Sequence, residues 1–229
     1  MIIEFKDISK VYKKDWKALN DINLEIDKGE FAFLLGPTGA GKSTLLKIIY
    51  MDERPTTGEI TVLNYSSKMI KGKDIPYLRR KVGVIFQDFK LLSDRNVFDN
   101  IAFSLEVTGA AKKYIKRKVL EVLTDLRLQH RRSQYPYQIS GGEQQKVSIG
   151  RALVKEPFIL LADEPTGNVD PEGSKEIIDL LKDINAKGTT ILMATHNLDI
   201  VKSLPFRVIS MEHGKIIGDE GGLRRKRSL

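Results

Sequence analysis

Gly36-Pro-Thr-Gly-Ala-Gly-Lys-Ser-Thr44 matches the phosphate-loop pattern G-x-x-x-x-G-K-[ST]. A short apolar run, Phe31–Leu35, precedes this loop, and residues 42–50 have the composition of a helix. Glycines let backbone N–H groups approach a phosphate closely, and the start of a helix adds partial positive charge. The sequence therefore predicts a nucleoside triphosphate site on a strand–loop–helix unit.

Three side chains of the loop are suited to phosphate chemistry. We expect Lys42 to reach the β- and γ-phosphates, Ser43 to ligate Mg²⁺ through its hydroxyl, and Thr44 to contact the phosphates. Kinases, GTPases, helicases and transporter ATPases all share this loop, so it leaves the class of protein open. The other residues predicted to bind the nucleotide here are Gly36, Pro37, Thr38, Gly39, Ala40 and Gly41.

Two carboxylates follow a second apolar run, residues 158–162. Asp163 lies where the end of a strand would hold Mg²⁺, and Glu164 is placed to polarise an attacking water as general base. A guanine-reading N-K-x-D motif is absent from the sequence, which disfavours a GTPase.

Ser140-Gly-Gly-Glu-Gln-Gln-Lys146 begins 23 residues before Asp163 and predicts a helix running to about residue 155. A serine followed by glycines at a helix start is a second potential anion-binding position. With this motif the chain resembles the ATP-binding cassette (ABC) ATPases, whose signature it is. The resemblance implies that a partner chain's ATP is contacted by Ser140, Gly141, Gly142, Glu143 and Gln144.

The same resemblance assigns the remaining site residues. Gln87 matches the Q-loop glutamine, which senses Mg²⁺ and the γ-phosphate, and His196 matches the switch histidine. Asp170 matches the D-loop aspartate at the dimer seam. Tyr12 matches the aromatic residue that stacks on adenine, with Trp16 as the alternative. The resemblance thus implies a head-to-tail homodimer in the ATP-bound state that hydrolyses ATP with Mg²⁺.

The order of the predicted elements indicates an α/β protein. Strands alternate with helices, which favours a mainly parallel sheet, and the first thirty residues with residues 59–63 predict an antiparallel patch. As a single ABC ATPase domain, residues 1–87 and 158–229 would form the RecA-like core and the antiparallel β subdomain. Residues 88–157 would form an inserted helical subdomain, and residues 221–229 a basic tail.

Small departures from the family pattern are Thr38 in place of serine, Val169 in place of leucine and Gly150 in place of alanine. None of them removes an atom that takes part in the expected chemistry.

Composition excludes several kinds of protein. Cysteine is absent from the 229 residues, which rules out disulfides, cysteine zinc sites and a thiol nucleophile. No apolar run reaches the roughly 18 residues that a membrane span requires, and acidic residues near the start argue against a signal peptide. The net charge is +8, yet no aromatic residues alternate with the basic ones, so nucleic acid is not an expected partner.

Four segments outside these motifs, residues 50–56, 76–80, 82–92 and 94–100, are similar to the ATPases of bacterial cell division. That resemblance implies an FtsX-like transmembrane partner, an indirect link to cell-wall hydrolases, and a cytoplasmic chain held at the inner face of the membrane. An ATPase of a related exporter or lipoprotein-releasing system is the alternative. A soluble ABC protein acting on DNA or ribosomes usually carries two cassettes or a long coiled coil, and neither is present in this sequence.

Overall fold

A computed structural model describes residues 1–221. It divides the chain into two compact units, the first made of Met1–Arg79 with the chain from Gly188 onward, and the second made of Arg80–Lys187. The predicted basic tail, residues 221–229, lies outside the described residues apart from Gly221. No helix in the described part of the chain is long and apolar enough to cross a membrane.

The first unit contains an antiparallel sheet. Strand β1 lies between β2 and β4, and Ile3 of β1 pairs with Ile26 of β2 and Val62 of β4. Along β1, Ile3, Phe5 and Ile8 are buried and the residues between them are more exposed, as expected for a sheet with one solvated face. The predicted antiparallel patch is therefore confirmed. The strands are β1 (Ile3–Val11), β2 (Lys17–Ile26), β4 (Thr57–Val62) and β5 (Tyr65–Ser66).

The same unit contains the parallel strands that position the phosphate loop. Strand β3 (Phe31–Leu35) runs parallel to β8 (Thr190–Thr195) on one side and to β9 (Arg207–Glu212) on the other, and β10 (Lys215–Glu220) returns antiparallel to β9. Nearly every residue of β3 and β8 is buried, because strands covered on both faces carry continuous apolar runs. The helices that begin in this unit are α1 (Lys42–Ile49), α2 (Ile75–Lys81) and α7 (Leu198–Lys202).

A buried arginine fixes the edge of these strands. Arg207, the first residue of β9, is only 4% exposed. Its guanidinium donates to both carboxylate oxygens of Asp219 at 2.7 and 2.6 Å, to Glu30 Oε1 at 3.1 Å and to the Glu25 carbonyl at 2.8 Å. The hydrogen bonds that Arg207 donates to Asp219, with the neighbouring Glu30 charge, raise the pKa of Arg207 despite its burial. The arginine therefore stays charged and ties β9 to β10 and to the end of β2.

The second unit pairs two parallel strands with four helices. Strand β6 (Val82–Ile85) runs parallel to β7 (Ile159–Asp163), with Gly83 opposite Leu160. The chain between these strands is mostly helical, as the sequence predicts, and its apolar faces form the core of the unit. The helices are α3 (Val97–Glu106), α4 (Lys112–Asp125), α5 (Gly141–Leu153) and α6 (Pro171–Ala186).

Three of these helices begin at a side-chain cap. Asn96, Ser140 and Asp170 each accept a hydrogen bond from the backbone N–H three residues further on, at 2.8, 3.2 and 2.7 Å. Such caps satisfy N–H groups that have no partner within the helix. They fix where α3, α5 and α6 start, and two of them lie inside predicted site motifs.

Candidate active site

The phosphate loop joins β3 to α1 in a conformation that needs its glycines. Gly39 and Gly41 have φ of 84° and 102°, in the left-handed region that favours glycine. A Cβ at Gly36 would lie 2.3 Å from the Met211 carbonyl oxygen, so that position has no room for a side chain. Helix α1 starts at this loop without a side-chain cap. The first N–H groups of a helix have no intrahelical acceptors, and here no capping side chain takes their place, which suits an anion.

Lys42 is held within the loop. Its side chain is 6% exposed, and Nζ donates to the Gly36 carbonyl at 2.6 Å and to the Pro37 carbonyl at 3.1 Å. Ser43 is exposed and Thr44 is partly buried, so both hydroxyls lie at or near the surface. Backbone carbonyls of the phosphate loop thus position the ammonium group of Lys42.

The other residues of the loop, from Gly36 to Gly41, have small or apolar side chains apart from Thr38, so they would contact a nucleotide mainly through their backbone. Pro37, Thr38 and Gly39 are exposed, whereas Ala40 is buried and its N–H donates to the Pro37 carbonyl at 3.2 Å.

His196 follows β8 directly. Since β3 and β8 are parallel, their carboxyl ends meet at one edge, and the Gly36 N–H donates to the Thr195 carbonyl at 3.3 Å. Asn197 then caps α7 by accepting from Asp199 and Ile200 N–H at 3.0 and 3.2 Å. The structure therefore brings the exposed His196 to the edge of the sheet at which the phosphate loop begins.

The two candidate adenine stackers form one aromatic pair. The rings of Tyr12 and Trp16 stack with centroids 5.3 Å apart and planes 24° apart, and Lys10 Nζ lies 4.9 Å from the Tyr12 ring centroid. Trp16 is 58% exposed and Tyr12 is partly buried. Which ring meets adenine stays a prediction.

In the second unit, Gln87, Asp163 and Glu164 lie at the carboxyl ends of parallel strands. Asp163 is the last residue of β7, and the exposed Gln87 lies two residues beyond the end of β6. Glu164 has a φ of 47°, an uncommon conformation for a residue other than glycine. The Gln87 carbonyl accepts from Asn168 Nδ2 at 2.8 Å, which joins the Q-loop to the D-loop.

The signature motif starts α5 with a reciprocal capping box. Ser140 Oγ accepts from the Glu143 N–H at 3.2 Å, and Glu143 Oε2 accepts from the Ser140 N–H at 2.9 Å. The box fixes Ser140 at the start of α5, where the N-terminus of a helix suits an anion.

Glu143 is held by a second partner, Arg131, whose Nε donates to Oε1 at 2.8 Å. Burial raises the pKa of Glu143, but the hydrogen bonds from the Ser140 N–H and from Arg131 outweigh it, so the net pKa is lowered. Gln144, the last predicted signature residue, is partly buried and donates to the Ile139 carbonyl at 3.3 Å.

The signature glycines lie against the D-loop of the same chain. A Cβ at Gly141 would be 3.2 Å from the Asn168 carbonyl oxygen, and one at Gly142 would be 3.6 Å from Val169 Cγ1. Asp170, predicted at a dimer seam, is exposed and caps α6 through its contact with Gly173. Its place at a seam stays a prediction.

Sequence reasoning missed three residues that organise this unit: Arg131, Gln145 and Asn168. Arg131 orders the signature motif, Asn168 joins the D-loop to Gln87, and Gln145 donates to the Pro165 carbonyl at 2.7 Å. Arg131 and Asn168 reach their partners 12 and 81 residues away along the chain. Contacts of this range leave no local pattern in a sequence.

The predicted Mg²⁺ ligands have suitable chemistry. Ser43, Gln87 and Asp163 supply hydroxyl, amide and carboxylate oxygens, the hard donors that Mg²⁺ prefers. Among the described residues, no group of three or more His, Asp or Glu forms a ready-made metal cluster. Mg²⁺ bound at a triphosphate also takes phosphate oxygens and water as ligands, so such a site does not require a closed cluster of protein carboxylates.

Comparison with known proteins shows similarity along nearly the whole chain. The ABC transporter family profile matches residues 19–167. The cell division ATP-binding protein FtsE of Bacillus subtilis is 51% identical over 219 residues, covering 96% of each chain, and that of Escherichia coli K12 is 42% identical over 220 residues, covering 96% of this chain and 99% of the relative. FtsE of Mycobacterium tuberculosis is 48% identical over 221 residues, with 96% of each chain covered.

Solved structures agree with this assignment. The ATP-binding cassette MJ0796, in a dimeric post-hydrolysis state bound to ADP and Pi, has a TM-score of 0.86 and 32% identity, covering 96% of this chain and 98% of that one. The cbiO1 subunit of the Clostridium perfringens cbiONQ transporter has a TM-score of 0.87 and 31% identity, covering 96% and 88%. The predicted α/β fold and ATPase activity are confirmed. The chain belongs to the ABC transporter family and, within it, to the FtsE cell-division ATP-binding proteins.

Proposed function

We propose that this chain is the ATP-hydrolysing subunit of a bacterial cell-division complex, bound at the inner face of the membrane to an FtsX-like transmembrane protein. Each ATP cycle would act through that partner on cell-wall hydrolases outside. The observation that carries this proposal is the similarity to FtsE proteins over 96% of the chain, which includes both the catalytic motifs and the segments between them. Nucleic acid has no part in it.

Within the chain, the roles divide between binding and chemistry. The phosphate-loop backbone and Lys42 bind the β- and γ-phosphates, and His196 contacts the γ-phosphate. Ser43, Gln87 and Asp163 would hold Mg²⁺, which would supply positive charge to neutralise the phosphates. Glu164 accepts a proton from the attacking water.

The site is completed by a second copy of the chain. Ser140 lies at the start of α5, where helix geometry favours an anion. In a head-to-tail homodimer this signature helix would contact the ATP held by the partner's phosphate loop. Support comes from the dimeric, ADP- and Pi-bound state of the similar cassette MJ0796. Loss of one such charge-stabilising donor typically costs roughly 3–4 kcal/mol in the transition state.

Each part of the chain then has its own task. Residues 1–87 and 158–229 would carry the nucleotide-binding core with its antiparallel β part. Residues 88–157 would form the helical subdomain that presents the signature motif, and residues 221–229 a basic tail. The transmembrane partner would dock next to the Q-loop, around residues 82–92.

Substitution of the general base tests the chemistry. Glu164→Gln should bind ATP normally, lose most of its turnover and accumulate as an ATP-bound dimer, because the amide cannot accept the proton. Phosphate release and size-exclusion chromatography with ATP measure both effects. Glu121→Gln, at an exposed position of α4, is the matched control and should behave as wild type. Turnover of Glu164→Gln at the wild-type rate would contradict the role of Glu164.

Capture from the native cell identifies the partner. We expect tagged Glu164→Gln chain, purified in mild detergent with ATP, to recover one FtsX-like membrane protein with a large external domain. Recovery of a permease with a substrate pathway would instead favour an exporter or lipoprotein-releasing system. Recovery only with nucleic acid or ribosomes would contradict both membrane assignments while leaving the ATPase chemistry in place.

A further inference from the structure

One glutamine of the signature helix is buried without full hydrogen bonding. Gln145 on α5 is completely buried, and its Nε2 donates to the Pro165 carbonyl at 2.7 Å. Its Oε1 has no hydrogen-bond partner within the described residues. An unsatisfied buried polar atom destabilises a protein, and an apolar side chain of the same size avoids that cost. Packing alone therefore does not explain why a glutamine, with its amide donor, occupies position 145.

The carbonyl that Gln145 holds belongs to the residue after the general base. Glu164 has a φ of 47°, whereas a residue before proline normally adopts an extended conformation. Such a conformation persists only when surrounding contacts enforce it. Contacts that hold this segment include the Gly167 N–H, which donates to the Glu164 carbonyl at 3.0 Å, and Gln145, which donates to the Pro165 carbonyl.

The segment after Pro165 is held independently of Gln145. Asn168 Nδ2 donates to the Gln87 carbonyl at 2.8 Å, and the Asp170 carboxylate accepts from the Gly173 N–H at 2.7 Å. Loss of the Gln145 contact would therefore leave the D-loop anchored at its far end. The backbone would therefore shift mainly at the peptide units of Glu164 and Pro165.

We propose that Gln145 is a positioning residue for Glu164. Its amide fixes the Pro165 carbonyl and thereby the backbone from which the Glu164 carboxylate reaches the attacking water. Gln145 lies five residues after Ser140 on the same helix. When that helix contacts the partner's ATP, any shift of the helix would also move Gln145 and so the general base of its own chain. The two ATP sites of the dimer would thereby be coupled. This inference rests on the proposed roles of Glu164 and Ser140.

Gln145→Met is the first test, because methionine matches the length of glutamine but donates no hydrogen bond. With the full-length chain, kcat for ATP should fall 10- to 100-fold, as misplacement of a catalytic group by about 1 Å costs. KM for ATP should stay within about twofold, since the phosphate loop is untouched. The thermal midpoint should stay within about 3 °C of wild type or rise, because the unsatisfied Oε1 is removed.

A matched buried control lies one turn further along the helix. Ser148 is also completely buried, and its Oγ likewise has no hydrogen-bond partner within the described residues. Ser148→Ala should leave kcat and KM unchanged. An equal loss of kcat in Ser148→Ala and Gln145→Met would assign both effects to the packing of α5 and overturn the proposal.

A double-mutant cycle separates positioning from general weakening of the site. If Gln145 acts through Glu164, adding Gln145→Met to Glu164→Gln should change the residual turnover by less than about twofold, because residues that act as a unit are not additive. Independent effects would multiply, and a further tenfold loss in the double variant would overturn the proposal.

Three further outcomes are decisive. If Gln145→Met does not fold, Gln145→Asn keeps the amide but shortens its reach by roughly 1.5 Å, one carbon–carbon bond, and wild-type kcat in that variant would overturn the proposal. Loss of turnover in Glu164→Gln with wild-type turnover in Gln145→Met would contradict this inference alone. Wild-type turnover in Glu164→Gln would contradict the proposed function itself.

Discussion

The carboxylate of Glu143 holds the signature serine in place through its charge. It accepts from the Ser140 N–H and from Arg131, and these bonds lower its pKa below the ordinary value for glutamate. A lowered pKa in the folded state means that folding favours the ionised form. The resulting stability is present above the pKa of the unfolded chain and is lost as the pH falls through the pKa of the folded chain.

Glu143→Gln tests this charge. The amide oxygen can still accept from Ser140, but the ion pair with Arg131 is lost, so the variant should be less stable at about pH 7 by roughly 0.5–1 kcal/mol. At an acidic pH below the pKa of the folded carboxyl, the wild type loses this charge and the difference should shrink. Urea unfolding of both chains at the two pH values measures it. A difference that does not change with pH would contradict the charge argument.

Helix α5 packs closely against neighbouring side chains at Gly150. A Cβ at Gly150 would lie 2.6 Å from Leu126 Cδ1, 3.0 Å from Ile101 Cδ1 and 3.2 Å from Val122 Cγ1. The family resemblance leads one to expect alanine here, and these three side chains occupy the space that its methyl group would need.

Gly150→Val should therefore destabilise the chain. Valine adds three carbons to a filled space, and overpacking of this kind costs about 1–3 kcal/mol, more than the gain in helix propensity over glycine. Gly72→Ala is the control, because a Cβ there meets no atom within 4 Å and its φ is not positive. It should stay within about 0.5 kcal/mol of wild type in urea unfolding. If Gly150→Val is as stable as wild type, α3 and α4 can shift to make room for the side chain, and the expected overpacking is contradicted.

Stability of the whole molecule depends on the Arg207 cluster, which joins residues far apart in the sequence. Arg207→Leu would leave the carboxylates of Asp219 and Glu30 without their main partner, so we expect a loss of about 3 kcal/mol or more. Arg207→Lys keeps the charge but not the two-pronged bond to Asp219 and should lose less. Equilibrium unfolding in urea ranks the three chains. Equal stability of wild type and Arg207→Leu would contradict the stabilising role of the Arg207 cluster.

The Arg207 cluster also shows which features the sequence can predict. The strands around Phe33 and Leu161 and the start of α5 at Ser140 are local patterns, since a continuous apolar run and a capping serine carry their own signal. Arg207 instead contacts the Glu25 carbonyl across 182 positions, and Gln145 contacts Pro165 across 20. Only folding brings such residues together, so the site's chemical groups were predictable but the contacts that position them were not.

The burial of Lys42 bears on the trade-off between ATPase activity and thermal stability. Its ammonium group is buried and bonded to loop carbonyls, so folding itself removes water from this charge and bears that cost. Lys42→Met should therefore melt at the same temperature as the nucleotide-free wild type or higher. ATP should raise the melting temperature of the wild type and barely change that of the variant, because only a ligand that binds shifts the equilibrium. Loss of activity at this position would then cost the fold no stability.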